Sequence, residues 1–274
     1  FIYTARGRNH GYDLFNMANR NERWFCQRLS VDDTSVLNQE AIDEEREAGM
    51  PEELIQQEFY CSFDAPLVGS YYGSLMAKAL AEERIKNVPY EPRLEVHTAW
   101  DLGMGDSTAI IWFQQFGNEY RIIDYYENQG EGIPHYVKIV REKDYIYGRH
   151  IAPHDIRVRE MGTGKSRYEV ARDLGIRFDV CPNIQVDDGI EAVRSIIPRC
   201  YFDEKKCSIL VEALRQYRKD YDEKNKVYKN RPLHDWSSHG ADAFRYLALG
   251  TRDKNKNRQS LPNFADSNYN VLGG

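Results

Sequence analysis

From residue 93 onward the chain carries short apolar segments of strand and helix length. Residues 95–100, 108–115 and 119–127 predict three successive strands, because their apolar and β-branched residues form short runs bounded by polar turns. The connections are short, as in a meander, and Gly117-Asn118 predicts a hairpin turn between the second and third strands. We therefore expect three neighbouring strands, each antiparallel to the next.

After the third strand, helical and strand patterns alternate. The predicted elements are a helix at 133–142, a strand at 150–154, a helix at 168–174 ended by Gly175, a strand at 177–180, helices at 188–198 and 204–219, a hairpin-like insertion around Val227 and an amphipathic helix at 237–249. This order predicts the α/β class with a mixed central sheet flanked by helices. Three antiparallel strands followed by parallel additions through helices are the layout of an RNase H-like fold.

The N-terminal third has a different pattern. It predicts strands at 1–5 and 24–29, a helix at 12–18, a helix at 39–48 capped by Asn38, a helix beginning near Pro51 and a charged helix at 75–87. Pro89 and Pro92 predict a domain boundary, so we divide the chain into residues 1–92, 93–252 and a flexible polar tail at 253–274. Phe1 and the strand-like start suggest a fragment of a longer protein.

Charge is unevenly distributed along the 274 residues, whose formal net charge is −6. Residues 1–92 have a net charge of −7, whereas residues 93–274 have a net charge of +1 and contain basic clusters. Such clusters suit a phosphate backbone, although each residue is also compatible with an ordinary solvated surface. The candidate DNA-binding residues are Arg157, Arg159, Lys165, Arg167, Lys226 and Lys229.

The five cysteines form no CxxC pair, which disfavours a zinc knuckle or a disulfide framework. Free thiols in a reducing compartment are the simpler interpretation. In the sequence, no apolar run approaches the ~18 residues of a membrane span.

Three aspartates carry the strongest chemical signal. Asp101 ends the first predicted strand, Asp155 follows the fourth, and Asp242 lies in the apolar pattern of the last helix, three residues after His239. Mg²⁺ and Mn²⁺ prefer oxygen ligands, and two such ions about 4 Å apart can drive phosphodiester cleavage. We therefore predict Asp101, Asp155 and Asp242 as metal ligands and catalytic residues, with His239 assisting.

Each of these residues also has a plainer interpretation. Asp101 and Asp155 are compatible with turn aspartates at strand ends, and His239 with a solvated residue near a helix N-terminus. Asp106 is a candidate auxiliary ligand, whereas Asp235 is better placed as a helix cap than as a ligand.

Two further motifs are weaker. Residues 162–166 (GTGKS) resemble a P-loop, but the full pattern needs glycine where Arg159 stands and a preceding apolar strand. We expect a glycine-rich turn there, with Lys165 and Arg167 near a DNA backbone. The aromatic segment 69–73 (GSYYG) suits either base stacking or, more simply, packing against the following domain.

These motifs resemble the large terminase subunit of tailed bacteriophages, the motor-nuclease that packages DNA into procapsids. Trp100-Asp101-Leu102-Gly103 is similar to the first acidic motif of its nuclease domain, Asp155 to the second, and residues 234–246 (HDWSSHGADAFRY) to the third. The third motif is the most specific. Weaker similarities are at 3–11, 58–63, 164–167 and 188–190.

The resemblance implies an RNase H-like endonuclease that uses Mg²⁺ or Mn²⁺ in a two-ion site on double-stranded viral DNA, in the host cytoplasm. It also implies the portal protein and the small terminase subunit as partners. Walker A and Walker B motifs are absent from the sequence, so residues 1–92 would be the end of an ATPase domain plus a linker. Alternatives are a non-cleaving DNA- or portal-binding packaging module, a junction resolvase or transposase, and an ATPase that uses the glycines at 162–166.

Overall fold

The computed structural model describes residues 1–5, 7, 10–103, 107–159, 164–222, 224–225 and 227–258, and of residues 253–258 the backbone alone. Two of the predicted residues, Asp106 and Lys226, lie outside the described residues, as do Gly162 and Thr163 of the P-loop-like segment. Among the described residues, no helix is long and apolar enough to cross a membrane.

Nine strands form two sheets within these ranges. They are β1 (Ile85–Lys86), β2 (Val96–Leu102), β3 (Ser107–Phe116), β4 (Glu119–Gln129), β5 (Tyr147–Ala152), β6 (Phe178–Val180), β7 (Cys200–Asp203), β8 (Lys219–Asp222) and β9 (Val227–Pro232). The first seven build the central sheet in the order β1-β7-β4-β3-β2-β5-β6, and β8 and β9 form a separate hairpin.

Ten α-helices surround the central sheet or precede it. They are α1 (His10–Asn19), α2 (Val31–Thr34), α3 (Gln39–Glu47), α4 (Glu52–Glu58), α5 (Gly73–Ala81), α6 (Ile133–Glu142), α7 (Arg167–Asp173), α8 (Val186–Ile196), α9 (Ser208–Gln216) and α10 (Ser237–Arg258). Short 3₁₀ helices span His154–Arg157 and Ile197–Arg199. These ten helices are those within the described residues.

The sheet is mixed, as predicted. Strands β2, β3 and β4 pair antiparallel, whereas β5, β6, β7 and β1 join as parallel neighbours. Parallel pairs need crossover connections, and the helices between β4 and β7 provide them. The mixed α/β class and the antiparallel start of the sheet are therefore confirmed.

The two faces of the sheet bury separate apolar clusters. One cluster packs beneath α8, α9 and α10 and includes Ala99, Ile111 and Phe244. The other packs beneath α6 and α7 and includes Trp100 and Trp112. Successive strand residues point to opposite faces, so neighbours such as Ala99 and Trp100 belong to different clusters. This alternation decides which face each functional side chain occupies.

Several sequence predictions for the elements are wrong. Residues 1–5 and 24–29 are not strands, and Phe25 is 89% exposed, because an apolar run needs a partner strand before it can pair. The helix expected over 75–87 ends at Ala81, and the one expected from 204 begins at Ser208. Strands β1 and β7 were not predicted, since two- and four-residue strands carry little periodicity.

Other predictions about the N-terminal third are confirmed. The Asn38 side chain caps α3 by accepting a hydrogen bond from the Ala41 N–H. Tyr71 and Tyr72 are buried in the cluster beneath α10, so the aromatic segment packs against the sheet domain rather than presenting its rings to solvent.

The predicted domain limits stay a prediction, although packing adds detail at both ends. Strand β1 lies before residue 93 and pairs with β7, and α5 precedes it against α9. Helix α10 continues to Arg258, beyond the expected end at 249 and into the start of the predicted tail. Residues 259–274 lie outside the described residues.

Candidate active site

Register across the antiparallel strands places two carboxylates on one face. Asp101 on β2 is opposite Ala109 on β3, and Ala109 is opposite Glu127 on β4. Ala99 and Tyr125, two residues earlier on their strands, lie in the cluster beneath α10. Asp101 and Glu127 therefore point to the α10 side, with Ala109 between them in the register of the sheet. Glu127 was not predicted from the sequence. Its position two residues after the core residue Tyr125, near the end of β4, would have indicated that it lies on the same face of the sheet.

Helix α10 crosses this face with Gly240 against β4. A β-carbon on Gly240 would lie 3.1 Å from the Tyr125 hydroxyl oxygen, so the absence of a side chain allows the close approach. That hydroxyl donates a 2.5 Å hydrogen bond to Glu127 Oε2. Burial raises the pKa of Tyr125, and the charges of Glu127 and Asp101 raise it further. Tyr125 therefore stays a proton donor beside the two carboxylates.

Asp242 projects from the second turn of α10 into a polar network. Arg245 Nη1 lies 3.2 Å from Asp242 Oδ1, and the Tyr217 hydroxyl donates a longer 3.5 Å hydrogen bond to the same oxygen. Burial raises the pKa of Asp242, and Arg245, His234 and His239 oppose that effect. The carboxylate is thus costly to ionise unless positive charge is nearby.

His239 is 7% exposed, which excludes the solvated interpretation. Its ring meets the His234 ring edge to face, with centroids 5.8 Å apart. Asp235 precedes α10 and accepts a hydrogen bond from the Ser237 N–H, as a capping residue does. The start of α10 therefore supplies two imidazoles close to Asp242.

Tyr246 links Asp101 to Asp242. Burial is the main cause that raises the pKa of Tyr246 to about 12, and the charges of Asp101 and Asp242 both contribute. Because charge–charge effects are screened beyond roughly 10 Å, both carboxylates lie within about that distance of the tyrosine. Two of the three predicted aspartates thus occupy the same region, under α10.

Asp155 lies on a different element from the other two aspartates. It lies in the 3₁₀ helix after β5 and is exposed. Strands β2 and β5 are parallel, and Ala99 is opposite Ile151. Asp101 and Asp155 therefore follow the paired residues toward the same edge of the sheet, with Asp155 beyond the strand end.

The carboxylate oxygens of the region are donors that suit a hard divalent cation, whereas the imidazole nitrogens suit borderline transition-metal ions. Within the described residues, however, no group of three or more His, Cys, Asp or Glu side chains is close enough together to hold a metal. The ligand set of Asp101, Asp155 and Asp242 stays a prediction.

Four predicted DNA-binding residues surround the 3₁₀ helix. Arg157 and Arg159 are exposed, with the Arg157 guanidinium 5.4 Å from the Tyr168 ring centroid. Lys165 Nζ pairs with Asp173 at 3.0 Å, and Arg167 Nη1 donates to the carbonyl of Leu102 at 2.8 Å. Arg167 therefore ties this loop to the end of the strand that carries Asp101.

The hairpin places Lys229 differently. Lys229 Nζ and Arg231 both pair with Asp220 across β8 and β9, which neutralises part of their charge. Lys226 lies outside the described residues.

The P-loop-like segment begins a helix. The Ser166 hydroxyl accepts a hydrogen bond from the Glu169 N–H, and the Glu169 carboxylate accepts one from the Ser166 N–H at 2.8 Å. This reciprocal pair is a capping box at the start of α7.

The structure has counterparts among solved phage proteins. It superposes on the large terminase of a thermophilic bacteriophage with a TM-score of 0.51 and 15% identity, over 90% of this chain and 61% of that one. The same protein in complex with ATP-γ-S gives 0.52 and 15%, over 89% and 61%. The large terminase nuclease domain of P22 gives 0.47 and 20%, over 62% and 89%. No family model and no curated protein matches the sequence.

The fold class is thus RNase H-like, with a mixed sheet flanked by helices. More specifically, the chain has the fold of a bacteriophage large terminase, which confirms the resemblance at the level of the fold. It spans about three-fifths of the length of the thermophilic phage terminase.

Proposed function

We propose that this protein is a divalent-metal-dependent endonuclease that cuts double-stranded viral DNA during genome packaging. The observation that supports the proposal is that Asp101 points to the sheet face covered by α10, the helix that carries Asp242, in a chain with the fold of a large terminase. Asp155 lies toward the same sheet edge, on an exposed turn that is accessible to a nucleic acid.

Asp101, Asp155 and Asp242 would hold the cation or cations, Mg²⁺ or Mn²⁺, and His239 would lie beside them. Such ions activate a water and stabilise the charge that develops on the phosphate, and a two-ion arrangement serves both oxygens of the displacement. Manganese and cobalt occur in the solved nuclease domains of the SPP1 and G20c large terminases.

The chain's own residues have separate tasks in this proposal. Arg157, Arg159, Lys165 and Arg167, on the rim around Asp155, would hold the phosphate backbone without reading sequence. Lys229 on the hairpin, and Lys226 as a further candidate, would add phosphate contacts. The buried Tyr125 and Tyr217 and the partly buried Tyr246 would limit water access to the carboxylates from the core side.

The proposal extends to the wider assembly. Residues 1–92 would be the end of an ATPase domain and its linker, followed by the nuclease at 93–252 and a tail at 253–274. The partners would be the portal protein and the small terminase subunit, in the host cytoplasm.

A plasmid assay tests the proposed function. Purified protein with Mn²⁺ is expected to nick and linearise supercoiled plasmid, and excess EDTA to stop it. Asp101→Asn is expected to lower the rate at least about 10³-fold with unchanged or higher thermal stability, because it removes a charged ligand and relieves carboxylate repulsion.

Asp220→Asn, a carboxylate exchange on the hairpin, serves as the control and is expected to change the rate only a few-fold. If folded wild-type protein binds Mn²⁺ and DNA but leaves the plasmid intact, the non-cleaving packaging module is the better description. Specific cutting of four-way junctions would favour a resolvase.

A further inference from the structure

Asp242 sits in a pocket built by Arg245 of the third acidic motif together with Tyr217 and Gly189, which lie outside the three acidic motifs. Arg245 is one helical turn later on α10, and its side chain is 14% exposed, against 25% for Asp242. An exposed pair three residues apart on a helix adds only a few tenths of a kcal/mol. A half-buried pair differs, because removing the guanidinium leaves a carboxylate away from water with less compensation.

Arg245 packs closely against the facing helix α8 because glycine at position 189 leaves room for its side chain. Gly189 is buried in α8, and a β-carbon there would lie 2.7 Å from Arg245 Cγ and closer still to Cδ. No real β-carbon approaches so closely, so alanine would push the middle of the arginine side chain away. Glycine inside a helix lowers its stability by about 1 kcal/mol relative to alanine. At position 189, glycine is needed because the Arg245 side chain occupies the space of a β-carbon.

Tyr217 holds the other side of the carboxylate. It is 2% exposed, and its ring stacks on Tyr72 with centroids 5.7 Å apart and planes 18° apart. The Tyr71 N–H donates to the Tyr217 carbonyl at 2.8 Å. The aromatic segment therefore fixes the ring whose hydroxyl faces Asp242.

The electrostatics agree with a fixed pair. Burial lowers the pKa of Arg245, but Asp242, Tyr246 and Tyr217 together raise it by more, so the guanidinium stays protonated. Both donors contact the same oxygen, Oδ1. A carboxylate held by two donors at one oxygen has a defined orientation for the other.

We propose that Arg245 and Tyr217 are positioning residues that orient the Asp242 carboxylate, and that Gly189 is required because the Arg245 side chain occupies the space of a β-carbon. This inference rests on the proposed function, in which Asp242 is a ligand. A general contribution to folding is the competing explanation, and the two differ in what Gly189→Ala does.

Gly189→Ala keeps every charge and improves helix propensity, yet displaces Arg245. We expect plasmid nicking to fall about 10-fold and the half-saturating Mn²⁺ concentration to shift about 3- to 10-fold, within the range known for residues that support metal ligands. The second quantity is read from the Mn²⁺-induced rise in melting temperature, without DNA. The melting temperature without cation is expected to stay within about 3 °C of wild type.

A double mutant tests whether Gly189→Ala acts through Arg245. Arg245→Ala removes the crowded carbons and the guanidinium together, so adding Gly189→Ala to it is expected to change neither readout further. Tyr217→Phe, which keeps the ring stack, is expected to lower nicking about 3- to 10-fold and stands independently if Arg245→Ala folds poorly.

Gly250→Ala is the matched control. It lies on the same helix as Arg245, and its β-carbon would collide with the core residue Ile151 instead. It is expected to lose stability while each folded molecule cuts at close to the wild-type rate.

The outcomes separate the two hypotheses. If wild type cuts and Gly189→Ala matches it in nicking and in Mn²⁺ response, the positioning role is wrong and the nuclease proposal stands. The positioning role is equally wrong if the effects of Gly189→Ala and Arg245→Ala multiply. If wild type neither cuts nor responds to Mn²⁺, the proposed function itself is wrong.

Discussion

The two faces of the central sheet differ near the end of β2, and adjacent residues of that strand show the difference. Trp100 points into the cluster under α6 and α7, is fully buried and has its indole N–H bonded to the Thr98 hydroxyl at 2.7 Å. Asp101 points to the other face, toward α10, beside Tyr125 and Tyr246. The face under α6 and α7, which we call the stabilising face, buries one apolar cluster, whereas the α10 face buries a second cluster and also gathers charges at its far end that cost stability.

This difference explains how one short strand can contribute both to stability and to the candidate site. A shift of β2 by one residue would move each of its side chains to the opposite face. Because the large apolar side chain of Trp100 must stay buried, it fixes the register, and this register places Asp101 on the α10 face. The stabilising face therefore also sets the geometry of the candidate site. Substitutions on the two faces should separate stability from cleavage.

The largest expected effect is on stability, at Trp100. Trp100→Leu is expected to lower the free energy of unfolding by about 3 kcal/mol, because it opens a cavity beside Phe178 and leaves Thr98 without its indole donor. Urea denaturation measures this, and cleavage per folded molecule should fall less than about 10-fold. Trp24→Leu, at a 45%-exposed position, is the control and should stay within about 0.5 kcal/mol. Equal losses at both tryptophans would contradict the assignment of Trp100 to the stabilising face.

The next effect is a pH dependence, also on the stabilising face. Burial lowers the pKa of His150 from its ordinary 6.5 to about 4. The unfolded chain then binds a proton first as the pH falls, so the stability from neutral His150 is complete above pH 6.5 and is lost progressively down to pH 4. We expect about 2 kcal/mol of loss between about pH 7 and pH 5 from this residue.

His150→Gln removes this titration and is expected to flatten the stability profile between about pH 7 and pH 5 by that amount. Unfolding titrations at the two pH values measure the difference. His154→Gln, at an exposed histidine, should leave the profile unchanged. A slope that persists in His150→Gln would assign the acid sensitivity to other groups.

The smallest effect compares hydroxyls on the two faces. Tyr125→Phe removes the donor to Glu127 and is expected to slow cutting about 5-fold, equivalent to about 1 kcal/mol. Tyr126→Phe removes a hydroxyl that lies 2.9 Å from His135 on the opposite face, and the cutting rate should not change. Initial rates of plasmid nicking measure both. A larger loss at Tyr126 would reverse the functional assignment of the faces.

The sequence predicted the fold better than it predicted the site. Periodicity located β2, β3, β4 and α6 closely, because their apolar residues meet the sheet with regular spacing. It missed β1 and β7, whose pairing depends on neighbours distant in the chain. Local pattern cannot carry that information.

Asp101, Asp242 and His239 were predicted from local context, and the structure brings them to one face. Glu127, Tyr217 and Arg245 were missed, since each becomes informative only through register or through contact between helices. Asp155 was predicted after a strand, and the structure places it on an exposed turn. Its relation to the other carboxylates depends on loop geometry, which alternation of apolar residues does not define.

Strand β1 has a practical consequence for anyone who wishes to shorten this protein. It covers the outer edge of β7, and the Val88 N–H bonds the buried carboxylate of Asp203 at 3.0 Å. A fragment that starts at Arg93 would leave β7 as an exposed edge strand, open to pairing with another molecule. It would also remove Tyr71 and Tyr72, which pack on Tyr217. The smallest soluble piece should therefore begin ahead of Gly69.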